Sequence, residues 1–255
     1  MKVVLNTIFL TFFIPSLSYA FDHTFQSWGR VLDQYVVEAG SESGVKYSEL
    51  KKNPQDLIQF ISEIKNLSQE EYNLFSQNQK LAFLINSFNA LCLKLVTDNY
   101  PVKSIKQIGS FRTSAWKKNF FTLFGQPRNL HWLEFEAVRK GFHDPRINFA
   151  LAYPTKGSPV LKKDPYLPDR LPQQLEEAGK DFLRDPSKNR YDQRTKTLEL
   201  SKIFDWRRKE FEKQYGSLEA YVAPRMSLSA EHSNLIRQGI AATRFIPYDW
   251  SLNLK

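Results

Sequence analysis

The sequence predicts an α+β fold in a single domain, mostly helical around a buried central helix and carrying short antiparallel hairpins. Three observations support this. Apolar residues recur at spacings of three and four through most of the chain. One stretch, 78–97, is apolar nearly all round, the signature of a helix with no solvent face. Short strand-like runs flank turn residues, as where Phe120 to Phe124 and Arg128 to Trp132 enclose Gly125-Gln126-Pro127.

The elements follow in order. Residues 1–20 read as a signal peptide: Lys2 is followed by an apolar run from Val3 to Ile14, Pro15 breaks it, and Ser18-Tyr19-Ala20 offers a small-x-small exit before Phe21. The apolar run is too short to span a bilayer, which takes roughly 20 residues. The domain is expected over 21–255. Residues 22–39 predict a first helix, with Phe25, Trp28, Leu32, Tyr35 and Val36 on one face. Val45-Lys46-Tyr47 alternates like a strand. Residues 54–65 predict a helix opened by Pro54, and Ser68 with Glu71 predicts a capping box. In 78–97 only Lys80, Ser87 and Lys94 are expected to face water, and Pro101 excludes helix just before it. Residues 133–141 predict a helix ending at Gly141. Six prolines lie between Asp144 and Pro172, so that region predicts a strand at Ile147 to Leu151 and then a long ordered loop. Helices are expected at 173–184, 202–215, 217–223 and 229–238, a second hairpin at 189–200, and a final strand at 243–249.

Composition narrows the function classes. The chain has 255 residues, is 42% hydrophobic and 14% aromatic, and carries a net charge of +9, or +8 without the leader's Lys2. That excludes fibrous and low-complexity classes and supplies a sizeable core. The one cysteine, Cys92, excludes an intramolecular disulfide framework and a cysteine-based metal knuckle. The histidines His23, His131, His143 and His232 are well separated, so no metal and no cofactor are expected. The basic run Arg207-Arg208-Lys209 is flanked by acids, with Asp205/Lys209 and Arg208/Glu212 at i,i+4. It reads as a solvated helix face and not as a nucleic-acid patch. The net charge favours anionic envelope components as non-specific partners, with a periplasmic protein as the other partner class. No transmembrane span is expected in the mature chain.

Several blocks together resemble one family. They are Asn86-Ser-Phe-Asn89 followed by Tyr100-Pro-Val-Lys-Ser-Ile105, Asp144-Pro-Arg-Ile-Asn-Phe-Ala-Leu151, Leu200-Ser-Lys-Ile-Phe204, and Pro247-Tyr-Asp-Trp-Ser-Leu-Asn253. The family they resemble is the domain of unknown function 547. The resemblance implies a one-domain exported bacterial protein, in the periplasm or secreted, and it implies no established reaction. Members usually carry Ile-Glu-His where this chain has Phe135-Glu136-Ala137, and His where it has Asn148. They carry two cysteines where it has Tyr153 and Ser158. If the family pairs a thiolate with an imidazole, this chain has lost both.

The remaining candidates each have two readings. Ser158 is a serine at a cysteine position, or an ordinary Gly-Ser-Pro turn. Asn86 and Asn89 share a face of the central helix; they hold the 152–172 loop, or line a groove. Glu136 pairs with Lys140, or reaches Arg146. The expected function is a non-catalytic binding or interaction domain. Its groove would lie between loop 152–172, helix 78–97 and Tyr248-Asp249. The alternative is a divergent hydrolase or acyl-transfer enzyme using Ser158 with a relocated histidine.

Overall fold

The first helix is shorter than its apolar pattern, and the reason lies in two valines. In the computed structural model, which describes residues 20–40, 42–109 and 114–255, α1 (Gln26–Tyr35) stops where Val36-Val37 begins. Those β-branched residues favour extended backbone. They open a hairpin of β1 (Val36–Ala39) and β2 (Glu42–Val45). The strand expected at 45–47 therefore lies earlier, and Tyr47 instead starts α2 (Tyr47–Lys52). Apart from Ala20, the leader lies outside the described residues.

Helices α3 (Gln55–Asn66) and α4 (Gln69–Leu74) follow. The Ser68 side chain caps α4 by accepting from the Glu71 nitrogen, but the Glu71 carboxylate turns away to the Phe21 backbone, so the reciprocal bond is not made. The full capping box belongs to the next helix. Ser76 accepts from the Gln79 nitrogen, and Gln79 returns the bond at the start of α5 (Gln77–Asn99). This is the central helix. Leu84, Ile85, Phe88, Leu91 and Cys92 are all fully buried. Ser87, expected to face water, is buried too, because the domain covers α5 on that side as well. Residues 77–99 are long and apolar enough to cross a membrane, yet most of the helix is covered by the rest of the domain.

The hairpin β3 (Phe121–Leu123) and β4 (Gln126–Arg128) is antiparallel as expected. The next helix, Trp132–Arg139, is wound as a π-helix. Ile147 to Leu151, expected as a strand, is instead a 3-10 helix over Pro145–Phe149. Asp144 caps it by accepting from the Arg146 nitrogen, and Pro145 sets its first turn. This short helix joins two apolar clusters. Ile147 packs in the large cluster around α5, and Phe149 in a second one with Phe182, Phe204, Phe211 and Tyr221.

That second cluster lies under α6 (Leu171–Leu183), β5 (Arg190–Asp192), β6 (Thr197–Ser201), α7 (Lys202–Tyr215), α8 (Leu218–Val222), α9 (Ala230–Arg237) and β7 (Ala242–Ile246). β5 and β6 form the expected hairpin. β7 pairs with β6 in parallel, from Thr197 opposite Ala242 to Ser201 opposite Ile246. The fold is thus α+β, with one parallel pair besides its hairpins. A parallel return needs a crossover, and α7 to α9 provide it. The chain then runs back along the first cluster. Leu252 donates to the Lys103 carbonyl, Val45 donates to Asn253, and the Tyr47 hydroxyl donates to the Asn253 side chain.

Candidate functional site

A cleft of about 900 Å³ opens where the π-helix, α7 and the C-terminal segment meet. Its size falls in the usual range for small-molecule sites. The π-helix decides its floor. Winding with i→i+5 bonds stacks residues five apart, and Glu134 and Arg139 are five apart. Glu134 is almost wholly buried, and its Oε1 accepts from Arg139 Nη2 at 2.9 Å, Arg139 Nε at 3.1 Å, Arg207 Nη2 at 3.2 Å and the Tyr153 hydroxyl at 2.6 Å. Its Oε2 accepts from Trp116 Nε1 at 3.2 Å. Arg139 also donates to Asn148 Oδ1 at 2.7 Å, and Asn148 donates to Glu210 at 2.8 Å. Burial, and then the neighbouring Glu134 charge, push the Tyr153 phenol well above its ordinary value. It therefore stays protonated and donating.

Above this floor the walls are rings and aliphatic chains. Trp116 stacks on Tyr153 with centroids 5.4 Å apart, and Phe88 of α5 backs Tyr153 at 5.5 Å. The Arg139 and Arg207 guanidiniums lie 5.5 and 5.3 Å from the Phe135 ring centre. Trp206, Tyr248 and Trp250 form one aromatic wall, with centroids 4.6 to 6.0 Å apart. Ile105, Ile108, Ala115 and Ile203 complete the apolar lining. The Lys106 ammonium sits at the rim, 4.3 Å from the Trp250 ring centre.

The sequence candidates fall mostly elsewhere. Asn86 Nδ2 donates to the Tyr166 carbonyl and its Oδ1 accepts from the Tyr166 nitrogen; Asn89 makes the same pair of bonds to Ala150 and Ala152. Both amides are committed to loop backbone, and neither lines the cleft. Glu136 is exposed and pairs with Lys140, not Arg146. Arg146 is held by Asp144 and Glu176 on another face. Tyr248 does line the cleft, with its hydroxyl 2.6 Å from Thr155 Oγ1. Asp249 faces a separate hollow beside Lys156 and Gly157. There the backbone comes so close that a Cβ on Gly157 would stand 2.8 Å from the Asp249 nitrogen.

Ser158 is buried, and its hydroxyl accepts from the Tyr153 nitrogen at 2.8 Å. Among the described residues no histidine hydrogen-bonds it. His131 stacks on Phe135, His23 packs edge-on against Phe75 and His232 lies tilted against Tyr191, while His143 sits by a second, smaller cavity. The expected groove therefore moves. Loop 154–172 and α5 stand behind it, and the π-helix and α7 build it. Sequence reasoning missed Glu134, Arg139 and Arg207 for two reasons. Glu134 and Arg139 fit π-helical spacing and not the α-helical spacing that singled out Glu136 and Lys140. Arg207 sits in a basic run that resembles a solvated face. Of the pairs expected in that run, Arg208–Glu212 forms, whereas Asp205 pairs with Lys202.

Among the described residues no group of three or more His, Cys, Asp or Glu side chains is placed to hold a metal ion. No curated protein and no solved structure is significantly similar to the chain. The matching family model reaches from α4 through α6 and so takes in Glu134, Arg139, Asn148 and Tyr153, while Arg207 and the Trp206–Tyr248–Trp250 wall lie C-terminal to it. Residues 72–183 match the model of the family described as Protein of unknown function, DUF547, so over that segment the chain is similar to this family.

Proposed function

We propose that this chain is a non-catalytic binding domain of the cell envelope, exported by its residues 1–20, and that the aromatic cleft is its recognition site. One observation carries the reading: a ligand-sized cleft whose polar floor is paired with itself. Among the described residues that line it there is no histidine or cysteine. Glu134, its buried carboxylate, is taken up by two guanidiniums, a phenol and an indole. Nucleophilic catalysis needs a nucleophile within reach of a base, and the buried Ser158 bonds backbone instead.

The hydrolase alternative makes a contrasting demand. A fluorophosphonate serine probe on the native protein is expected to leave Ser158 unlabelled. Stoichiometric labelling that disappears in Ser158→Ala would overturn the binding reading and restore the enzyme.

A further inference from the structure

Resting on that reading, we propose that the ligand is a single-chain amphiphile: an apolar tail lies along the cleft and an oxyanion head, carboxylate or phosphate, sits at Lys106. Two features of the cleft choose this class. The first is saturation of the floor. Glu134, Asn148, Tyr153 and Tyr248 all spend their hydrogen bonds on protein partners. A polyhydroxylated ligand such as a glycan would find, among the described residues, little beyond the spare Arg207 donors and the Trp206 and Trp250 indole N–H groups to answer its many donors and acceptors, and most of its buried hydroxyls would go unpaired. A hydrocarbon tail asks for none, and the ring faces and isoleucines of the walls suit it.

The second feature is the distribution of cations. Arg139 and Arg207 point inward and are neutralised by Glu134 and Glu210. Lys106 is exposed at the rim and, among the described residues, has no carboxylate partner. Its ammonium rests over Trp250, which leaves donors free for an acceptor from solvent. A positive rim above an apolar cleft repels a cationic head, gives a neutral one nothing, and attracts an oxyanion.

Trp116, Trp206 and Trp250 all line the cleft, so tryptophan emission reads its occupancy directly. The experiment titrates the full chain, below micelle formation, with dodecanoate, dodecyl phosphate, dodecyltrimethylammonium, dodecyl maltoside and an N-acetylglucosamine oligomer. The two anions are expected to bind at least about tenfold tighter than the cation and the maltoside, a difference worth one salt-bridge-sized contact. Lys106→Gln, a rim substitution outside the core, is expected to abolish that difference. The carboxylate and phosphate arms then separate a free fatty acid from a phospholipid-derived head. Equal affinity for all four amphiphiles, unchanged in Lys106→Gln, overturns the head assignment while leaving the cleft as a binding site. Preference for the oligosaccharide overturns the amphiphile class but keeps the cleft. Unchanged emission with every probe overturns both.

A different observation carries a second inference, about processing. The Phe21 nitrogen lies 2.6 Å from Glu71 Oε1. Its ring packs edge-on against Phe25 and Phe83, with centroids 5.7 and 5.1 Å away. We infer that signal-peptidase hydrolysis of the Ala20–Phe21 bond creates an α-ammonium that Glu71 captures as an ion pair. The C–N bond breaks, water's hydroxyl goes to the Ala20 carbonyl carbon, and the released amine ends protonated. Cleavage thus turns an amide-to-carboxylate hydrogen bond into an ion pair charged on both sides. The check compares Glu71→Gln in the unprocessed chain and in the chain beginning at Phe21, by thermal melting. The substitution is expected to lower the melting temperature of the processed chain by several degrees more. Equal losses in both chains, or a mature N-terminus sequenced elsewhere, overturn the inference.

Discussion

Asn89 shows what a single buried amide does here. It satisfies the Ala150 carbonyl and the Ala152 nitrogen at 3.0 and 2.9 Å, at the point where the chain leaves the 3-10 helix for the loop. Asn89→Ala leaves both backbone groups unpaired and is expected to cost about 2–4 kcal/mol in urea unfolding. A loss under about 1 kcal/mol would show that the loop re-pairs without it. Ser158→Ala removes one acceptor from the Tyr153 nitrogen, so its cost should stay near 1 kcal/mol, on the order of a single net hydrogen bond. Glu134→Ala is harsher. It leaves the Arg139 and Arg207 charges below the cleft with Glu210 alone between them, and breaking a buried pair on one side costs ~3–5 kcal/mol. Asp185 gives a pH dependence. Burial raises its carboxyl, but hydrogen bonds from Lys188 and Ser187 outweigh that and hold it below its ordinary value. A depressed carboxyl stabilises the fold above the unfolded value, near pH 4, and that share is lost as pH falls through the depressed one. Asp185→Asn should flatten the acid limb of the stability profile below about pH 4.

At the scale of elements, α5 and the π-helix divide the work. α5 is the core: Leu84 and Leu91 are fully buried, and Leu84→Ala is expected to cost ~2–5 kcal/mol in transfer and cavity terms. An unchanged melt would mean the core lies elsewhere. Cys92 sits in the same environment. Burial, and secondarily the Glu134 charge, push its thiol well above the usual range. The thiolate is what reacts, so a thiol reagent at neutral pH should modify Cys92 only at the rate of unfolding. The π-helix buries less and decides more. Its winding turns Glu134 and Arg139 to one side and leaves Glu136 in solvent, paired with Lys140.

For the whole molecule, the segment after β7 acts as a strap. It bonds Lys103, Lys156 and Val45 through backbone, and Ser104 and Tyr47 through side chains. It also supplies Tyr248 and Trp250 to the cleft. Truncation after Pro247 is therefore expected to abolish cleft binding and lower the melting temperature together. Alanine at Trp250 alone should weaken binding while sparing most stability, since that residue is only partly buried. A truncated chain that melts normally would show the strap to be dispensable.

Most of the helices, the central one among them, and two of the hairpins were legible in the sequence. These follow from local periodicity and from turn and cap residues, which act within a few positions. The backbone-holding roles of Asn86 and Asn89 were legible as one of two readings, because an amide inside a buried helix must find partners. The parallel β6–β7 pair, the 3-10 conformation of Pro145–Phe149 and the composition of the cleft depend on contacts made only after folding. Glu134, Arg207 and Trp250 come from separate stretches of chain and meet only after folding. Their meaning is the pairing between them: a carboxylate that reads as one charge among 27 acids in the sequence becomes, once buried beneath two guanidiniums, the fixed floor of a site.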